Sequence, residues 1–171
     1  MQYRIIDNFL PKKNADEISN TMLGSWFPWY YNNISVYDNG VDDINNYQLV
    51  HGFYNDKTSN SNYYNMLNPL ISKLNAKEII RVKSNLNPHT KTRHIFDWHV
   101  DFPDIISYAK TAIYYVNTND GVTLLDGGIE IASVANRLLI FDRNITHTGT
   151  TCTDTKVRCL INLNYIEYNN D

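Results

Sequence analysis

A mainly β domain with flanking helices is the fold class this sequence predicts, and three observations carry it. From Glu78 onward the chain reads as short strand-like runs separated by turns, among them residues 79–86, 111–117, 138–141 and 157–165. Helical periodicity occurs only ahead of that region, at 14–23 and 60–74. No linker, internal repeat or compositional break divides the 171 residues, so they read as one domain: 1–77 as supporting strand and helix, 78–167 as the strand core.

Taken in order, residues 4–9 predict a short strand that Pro11 stops. The helix at 14–23 places Ala15, Ile18, Met22 and Leu23 near one face, with Asn14 as N-cap, Glu17 completing a capping box, and Gly24 as the stop. Residues 26–31 are densely aromatic and predict core packing of that helix on a sheet; the sharper alternative has Tyr30 or Tyr31 at the mouth of a functional cavity. The polar stretch 32–46, with Gly40 and three aspartates, lacks periodicity and is expected to be a loop acting as a lid. A strand at 47–54 precedes the helix at 60–74, where Tyr64, Leu67, Leu70 (or Ile71) and Leu74 face the sheet and Pro69 is expected to kink. Both helices should cover the outer face of the larger sheet. Turns are expected near Gly121 and at Gly127-Gly128.

The net charge of −3 and pI of about 5.9 argue against a nonspecific nucleic-acid binder, although Lys83, Lys91, Arg93 and His94 lie close together in sequence. Two cysteines, Cys152 and Cys159, are too few for a secreted disulfide framework, which predicts a reducing, cytoplasmic setting; a bridge between them across adjacent strands is the alternative. The first residues lead straight into a strand-like run without a leader pattern, and no apolar stretch approaches the length of a membrane span. Nothing in the sequence speaks to oligomeric state.

The chemistry concentrates at His99-Val100-Asp101, His147 and Arg158. Two histidines and one carboxylate on one face of a cation, with the other face open, form the ligand set of non-haem Fe(II) oxygenases. If residues 99–101 are a strand, His99 and Asp101 point to one side, and His147 joins them from a distant strand. A His-x-Asp pair alone is a weak signal; the surrounding order of strands strengthens it. Trp98 should point the other way into the core, and Asp97 could line the rim. His94 and Arg93 read as solvated, with a substrate contact as the alternative, while His51 and His89 show no partner pattern. On 157–165 the set Val157, Cys159, Ile161, Leu163 and Tyr165 is almost wholly apolar, which forces Arg158 and Asn162 onto the opposite, interior face. An interior guanidinium needs an anionic partner to offset its desolvation. Across 111–117, Thr111, Ile113, Tyr115 and Asn117 share one face, and Ala112, Tyr114 and Val116 the other.

This order of motifs resembles the 2-oxoglutarate- and Fe(II)-dependent oxygenases, particularly their prolyl-4-hydroxylase-like branch, over about residues 78–167. The likeness is most specific at His99-Val100-Asp101, at the Thr-x-Ile-Tyr-Tyr-x-Asn pattern of 111–117, and at Arg137–Asp142 leading to His147. It extends loosely to Phe27-Pro28-Trp29-Tyr30-Tyr31, which looks like an element of small phage-encoded oxygenases. The resemblance implies a double-stranded β-helix (a jelly roll) with the metal near one open end. It also implies Fe(II), 2-oxoglutarate as co-substrate and O₂ as oxidant, with ascorbate as a supporting reductant. By the same resemblance Arg158 binds the distal carboxylate of 2-oxoglutarate and Tyr115 hydrogen-bonds the co-substrate. Asn85 and Asn162 are weaker candidates for that pocket, and Leu160 stands where relatives often carry a serine. The implied activity is hydroxylation of a protein or peptide side chain, prolyl included. The alternatives are the same chemistry on a nucleobase or small metabolite, or a jelly-roll binding protein without turnover.

Overall fold

The computed structural model describes residues 3–35, 43–101 and 109–168. The elements run β1 (Tyr3–Ile6), α1 (Lys12–Met22), β2 (Tyr30–Asn32), β3 (Gln48–Asn55), β4 (Thr58–Ser59), a 3₁₀ turn (Tyr64–Leu67), α2 (Asn68–Leu74), β5 (Ala76–Pro88), β6 (Ala109–Tyr115), β7 (Asn119–Leu125), β8 (Ile129–Ser133), β9 (Arg137–Asp142), β10 (His147–Gly149) and β11 (Val157–Glu167). An eight-stranded antiparallel sheet has the order β1-β9-β6-β11-β5-β3-β2, with β4 paired to β3. A three-stranded sheet, β10-β7-β8, faces it. The mainly β class with flanking helices is borne out.

Strand parity sorts the apolar residues into two cores. Ala112, Tyr114, Leu138, Ile140, Cys159, Ile161, Leu163 and Tyr165 join Ile18 and Met22 of α1 and Leu67, Leu70 and Leu74 beside α2 in one cluster. The neighbours one residue on, Ile113, Tyr115, Leu139, Phe141 and Leu160, meet Leu125 and Ile131 of the small sheet in the other. The helices thus cover the outer face of the large sheet, as expected, and the second cluster fills the space between sheets.

Four local expectations are corrected. Asn14 lies inside α1 and does not cap it: Pro11 occupies the N-cap, and its carbonyl accepts the amides of Asn14 and Ala15. The fixed φ of proline makes it a competent starting point, so α1 begins earlier than the polar signal suggested. Pro69 does not kink a long helix; it stands in the first turn of α2, where its missing N–H costs nothing. Gly121 is not in a turn but within β7, at a register irregularity between Asn119 and Val122. Gly127 and Gly128 do make the β7–β8 turn, both at positive φ. Finally, Leu23 is exposed instead of joining the core, because α1 ends at Met22. The expected lid at 32–46 falls partly on residues 36–42, which lie outside the described residues.

Candidate metal centre

His99 and Asp101 do not sit on a regular strand. Residues 95–101 run along β10 and touch it through single bridges, Ile95 opposite Thr150 and His99 opposite His147. His99 and His147 exchange both backbone hydrogen bonds, at 3.0 and 2.8 Å. This pairing brings the two imidazoles to a centroid separation of 4.4 Å. With the Asp101 carboxylate they offer three ligand atoms within 4.8 Å of one another. Trp98 correspondingly turns outward at 47% exposure and is not a core residue; Phe96 takes the buried position.

Each ligand is held by a second partner. His99 Nδ1 lies 3.2 Å from the carbonyl of Asp97, and His147 Nδ1 lies 3.0 Å from that of Ile145. A carbonyl only accepts, so both Nδ1 atoms carry a proton, and in the neutral ring Nε2 is the nitrogen left to face a cation. Asp101 Oδ2 accepts from Thr111 Oγ1 at 3.0 Å and Asn164 Nδ2 at 2.9 Å, while Oδ1 lies 3.4 Å from Arg81 Nη2. Burial raises the Asp101 pKa, but His147, Arg81, Asn164 and His99 together hold it below the ordinary value. Burial pushes His147 down, and His99 and Arg81 add to that against the pull of Asp101. A charged carboxylate and neutral imidazoles are the protonation states a metal requires. The donor set therefore fits a divalent transition metal.

The three ligands stand in the wall of a cavity of about 350 Å³. Arg158 lines the same cavity and is 2% exposed. Its Nε donates to Ser133 Oγ and its Nη2 to Thr123 Oγ1, both at 2.9 Å. Among the described residues no carboxylate pairs with it. Burial works against its charge, so the site stores a demand for an anion. Two glycines make room for the guanidinium: a Cβ at Gly121 would stand 2.5 Å from Arg158 Cδ, and one at Gly149 would stand 3.1 Å from its Nη1.

Asn85, Leu160 and Asn162 also line the cavity, and the Asn85 Oδ1 atom is buried without a hydrogen-bond partner among the described residues. Tyr115 is placed differently. It is fully buried behind the wall, its hydroxyl donates to Thr123 Oγ1 at 2.7 Å, and it reaches the cavity only through that threonine and Arg158. Burial raises its pKa, so the phenol keeps its proton. Tyr30 and Tyr31 are exposed on β2 and do not line the cavity; Phe27 supplies the core packing, against Trp29, Phe53 and Tyr63. Asp97 also lies off the cavity wall. Sequence reasoning missed Thr111 and Asn164 as supports of Asp101, Arg81 as its cationic neighbour, and Thr123 and Ser133 as supports of Arg158. Strand parity had put Thr111 on one face with Ile113, Tyr115 and Asn117 without giving it a task. No sequence signal marked Thr123, Ser133 or the glycine cradle.

No family model matches the chain, and no curated protein matches it. Solved structures do. A prolyl hydroxylase from Trichoplax adhaerens, in complex with a hypoxia inducible factor peptide fragment, aligns with TM-score 0.67 and 21% identity over 96% of this chain and 83% of that one. A Pseudomonas putida prolyl-4-hydroxylase aligns with TM-score 0.63 and 12% identity over 97% and 92%. The non-haem α-ketoglutarate-dependent epimerase SnoN of nogalamycin biosynthesis aligns with TM-score 0.69 and 13% identity over 96% and 78%. The fold is thus the double-stranded β-helix of the 2-oxoglutarate/Fe(II) oxygenases, and His99, Asp101 and His147 form a two-histidine, one-carboxylate set on it. These matches give no support to a phage origin.

Proposed function

We propose that this protein is an Fe(II)- and 2-oxoglutarate-dependent oxygenase that hydroxylates a C–H bond of a protein or peptide side chain, prolyl among the candidates. One observation carries the reading: a metal-competent triad and a buried arginine without a carboxylate partner share one cavity. Bound Fe(II) and 2-oxoglutarate would supply the oxidising chemistry, consuming O₂ and releasing succinate and CO₂.

The chain's own residues have separate tasks. His99, Asp101 and His147 hold the metal and leave one side of it to the cavity. Arg158 would hold the distal carboxylate of the co-substrate, a charge-assisted contact that meets its buried charge. Thr123 and Ser133 fix that guanidinium, and Tyr115 fixes Thr123, so Tyr115 acts on the co-substrate through the threonine. Asn85, whose Oδ1 has no hydrogen-bond partner among the described residues, and Asn162 add polar side chains to the same pocket. Leu160, opposite Asn85 on β11, adds an apolar side chain to the lining.

The peptide substrate is favoured by the two prolyl hydroxylases described above. A small metabolite is the second reading, because SnoN, an epimerase from nogalamycin biosynthesis, matches equally well in fold. A nucleobase is disfavoured by the net charge of −3. Among the described residues no helix is long and apolar enough to cross a membrane. Both cysteines are free and buried, in keeping with a reducing, cytoplasmic setting.

Purified protein given Fe(II), ascorbate and 2-oxoglutarate should release succinate slowly even without substrate. It should also show a 2-oxoglutarate-dependent rise in melting temperature. Absence of both would leave a non-catalytic jelly-roll protein as the better account. A screen of peptides and metabolites for the gain of one oxygen atom in mass then separates the substrate classes.

A further inference from the structure

A second polar cluster lies on the helix-covered side of the large sheet. His51 on β3 is 4% exposed and shares its strand face with the core residue Phe53. Packing fixes its ring: the centroids of Phe27 and Phe53 lie 4.5 and 4.7 Å away, and Tyr30 stacks on it at 6.1 Å. Both ring nitrogens are engaged, Nδ1 at 2.7 Å from the Pro28 carbonyl and Nε2 at 2.7 Å from Ser61 Oγ.

These two contacts decide where the protons sit. A carbonyl only accepts, so Nδ1 carries the proton of the neutral ring, and burial, which lowers the His51 pKa, keeps the ring neutral. Nε2 is then an acceptor, and the Ser61 hydroxyl donates to it. Ser61 Oγ also accepts the amide of Tyr63 at 3.0 Å, which closes a local turn and needs only a lone pair. That turn does not explain why the hydroxyl proton is committed to a buried imidazole. A hydroxyl held by an imidazole that is itself oriented from behind by an acceptor is the arrangement that activates a serine as nucleophile.

Ser61 is also within reach of a ligand. It is half-buried in the wall of a second cavity of about 460 Å³, lined as well by Pro28, Tyr30, Gly52 and Tyr63. Among the described residues, none that lines this cavity lines the metal cavity. A Cβ at Gly52 would meet no atom within 4 Å, so the space beside His51 is open. The exposed ring of Tyr30 and the half-buried ring of Tyr63 offer apolar surface. The main-chain amides of Ser61 and Asn62 donate to no acceptor among the described residues and are available to an oxyanion.

We propose that His51 and Ser61 form a second, metal-independent reaction centre that transfers the acyl group of a small carboxylic ester to Ser61 and then to water. Ser61 Oγ attacks the ester carbonyl carbon while its proton passes to His51 Nε2. The C–O bond to the alcohol breaks, and His51 returns the proton to the leaving oxygen. Water then attacks the acyl-serine and gives a proton to His51. The carboxylic acid departs, and the proton returns to Ser61 Oγ. Pro28 offers the imidazolium a carbonyl dipole where a carboxylate would offer a full charge. With an activated ester the step that uses water therefore lags, and the acyl-serine accumulates. This centre does not depend on the oxygenase reading.

The test uses the full chain in EDTA, which keeps the metal centre out of the result. para-Nitrophenyl acetate should give a burst of about one nitrophenolate per chain and a single acetyl group mapped to Ser61 by mass spectrometry, as expected of an activated serine. An alkyl fluorophosphonate, losing fluoride to Ser61 Oγ, should label the same residue and block the burst. His51→Gln should slow labelling about 100-fold or more, as loss of a general base predicts. Ser61→Ala should abolish it, each variant keeping the folded spectrum of the wild type. Mapping on the wild-type protein decides the matter even where a variant fails to fold. An unlabelled Ser61, adducts spread over lysines and tyrosines, or labelling of Ser61 that His51→Gln leaves at full rate overturns the proposal, and the His51–Ser61 contact is then a packing device alone.

Discussion

Asp101 is the most heavily supported side chain of the site. Among the described residues it is the only carboxylate of the cavity wall, and Thr111, Asn164 and Arg81 all point at it. Such outer contacts set ligand orientation, so Thr111→Val should lower Zn²⁺ affinity by about 10–100-fold, read by calorimetry, with the fold kept. Arg158→Met should raise the 2-oxoglutarate concentration needed for half-maximal succinate release; an unchanged requirement would show that another residue grips the co-substrate. His51, away from the metal, has its Nδ1 2.7 Å from the Pro28 carbonyl and its Nε2 2.7 Å from Ser61 Oγ. Burial lowers its pKa below the ordinary 6.5, the Pro28 contact opposing only in part. The unfolded chain therefore takes up the proton first as pH falls. The stability from neutral His51 is fully present above pH 6.5 and declines as pH drops from there toward the folded-state pKa. Comparing wild type with His51→Gln in melting temperature between pH 7 and pH 5 should show a smaller acid loss in the variant. The metal ligands and Arg158 were legible because few residue sets do that chemistry. Their supports were not, because serine, threonine and asparagine read alike on an interior face and on a turn.

Strands with a strict two-residue period were the elements most readable from sequence. On β6, β9 and β11 adjacent residues belong to opposite clusters, so composition alone fixes which side faces the helices. Segments 95–101 and 119–122 were not readable, because their geometry is set by what they pack against. Residues 95–101 meet the 147–150 segment at two isolated bridges without forming a strand, and Gly121 is dictated by the arginine lying across it. Gly121→Ala forces a methyl group against Arg158 Cδ, the Asn119 side chain and the Thr151 carbonyl. Overpacking of this kind costs about 1–3 kcal/mol. Chemical denaturation should show that loss, accompanied by weaker 2-oxoglutarate binding as the guanidinium is displaced. A variant that loses stability but binds 2-oxoglutarate normally would place the strain elsewhere.

At the scale of the whole molecule, the two sheets divide the work. The helix-covered face of the large sheet is a closed apolar core, while the space between sheets is apolar only on one side and polar where the cavity opens. The ion and the co-substrate should therefore add to global stability by simple linkage. Zn²⁺ at a hundredfold excess over its dissociation constant should stabilise the native state by about 2.7 kcal/mol, reversed by a chelator. His99→Ala should remove that gain; a gain that survives would place the ion at another site.

The reciprocal backbone pair between residues 99 and 147 has a kinetic consequence. Because the main chain already clamps the two rings side by side, and separate donors aim the third arm, capture of the ion requires little rearrangement. Loading and stripping should be limited by diffusion through the opening and by shedding of the ion's water, so repeated cycles of depletion and refilling should leave the scaffold intact.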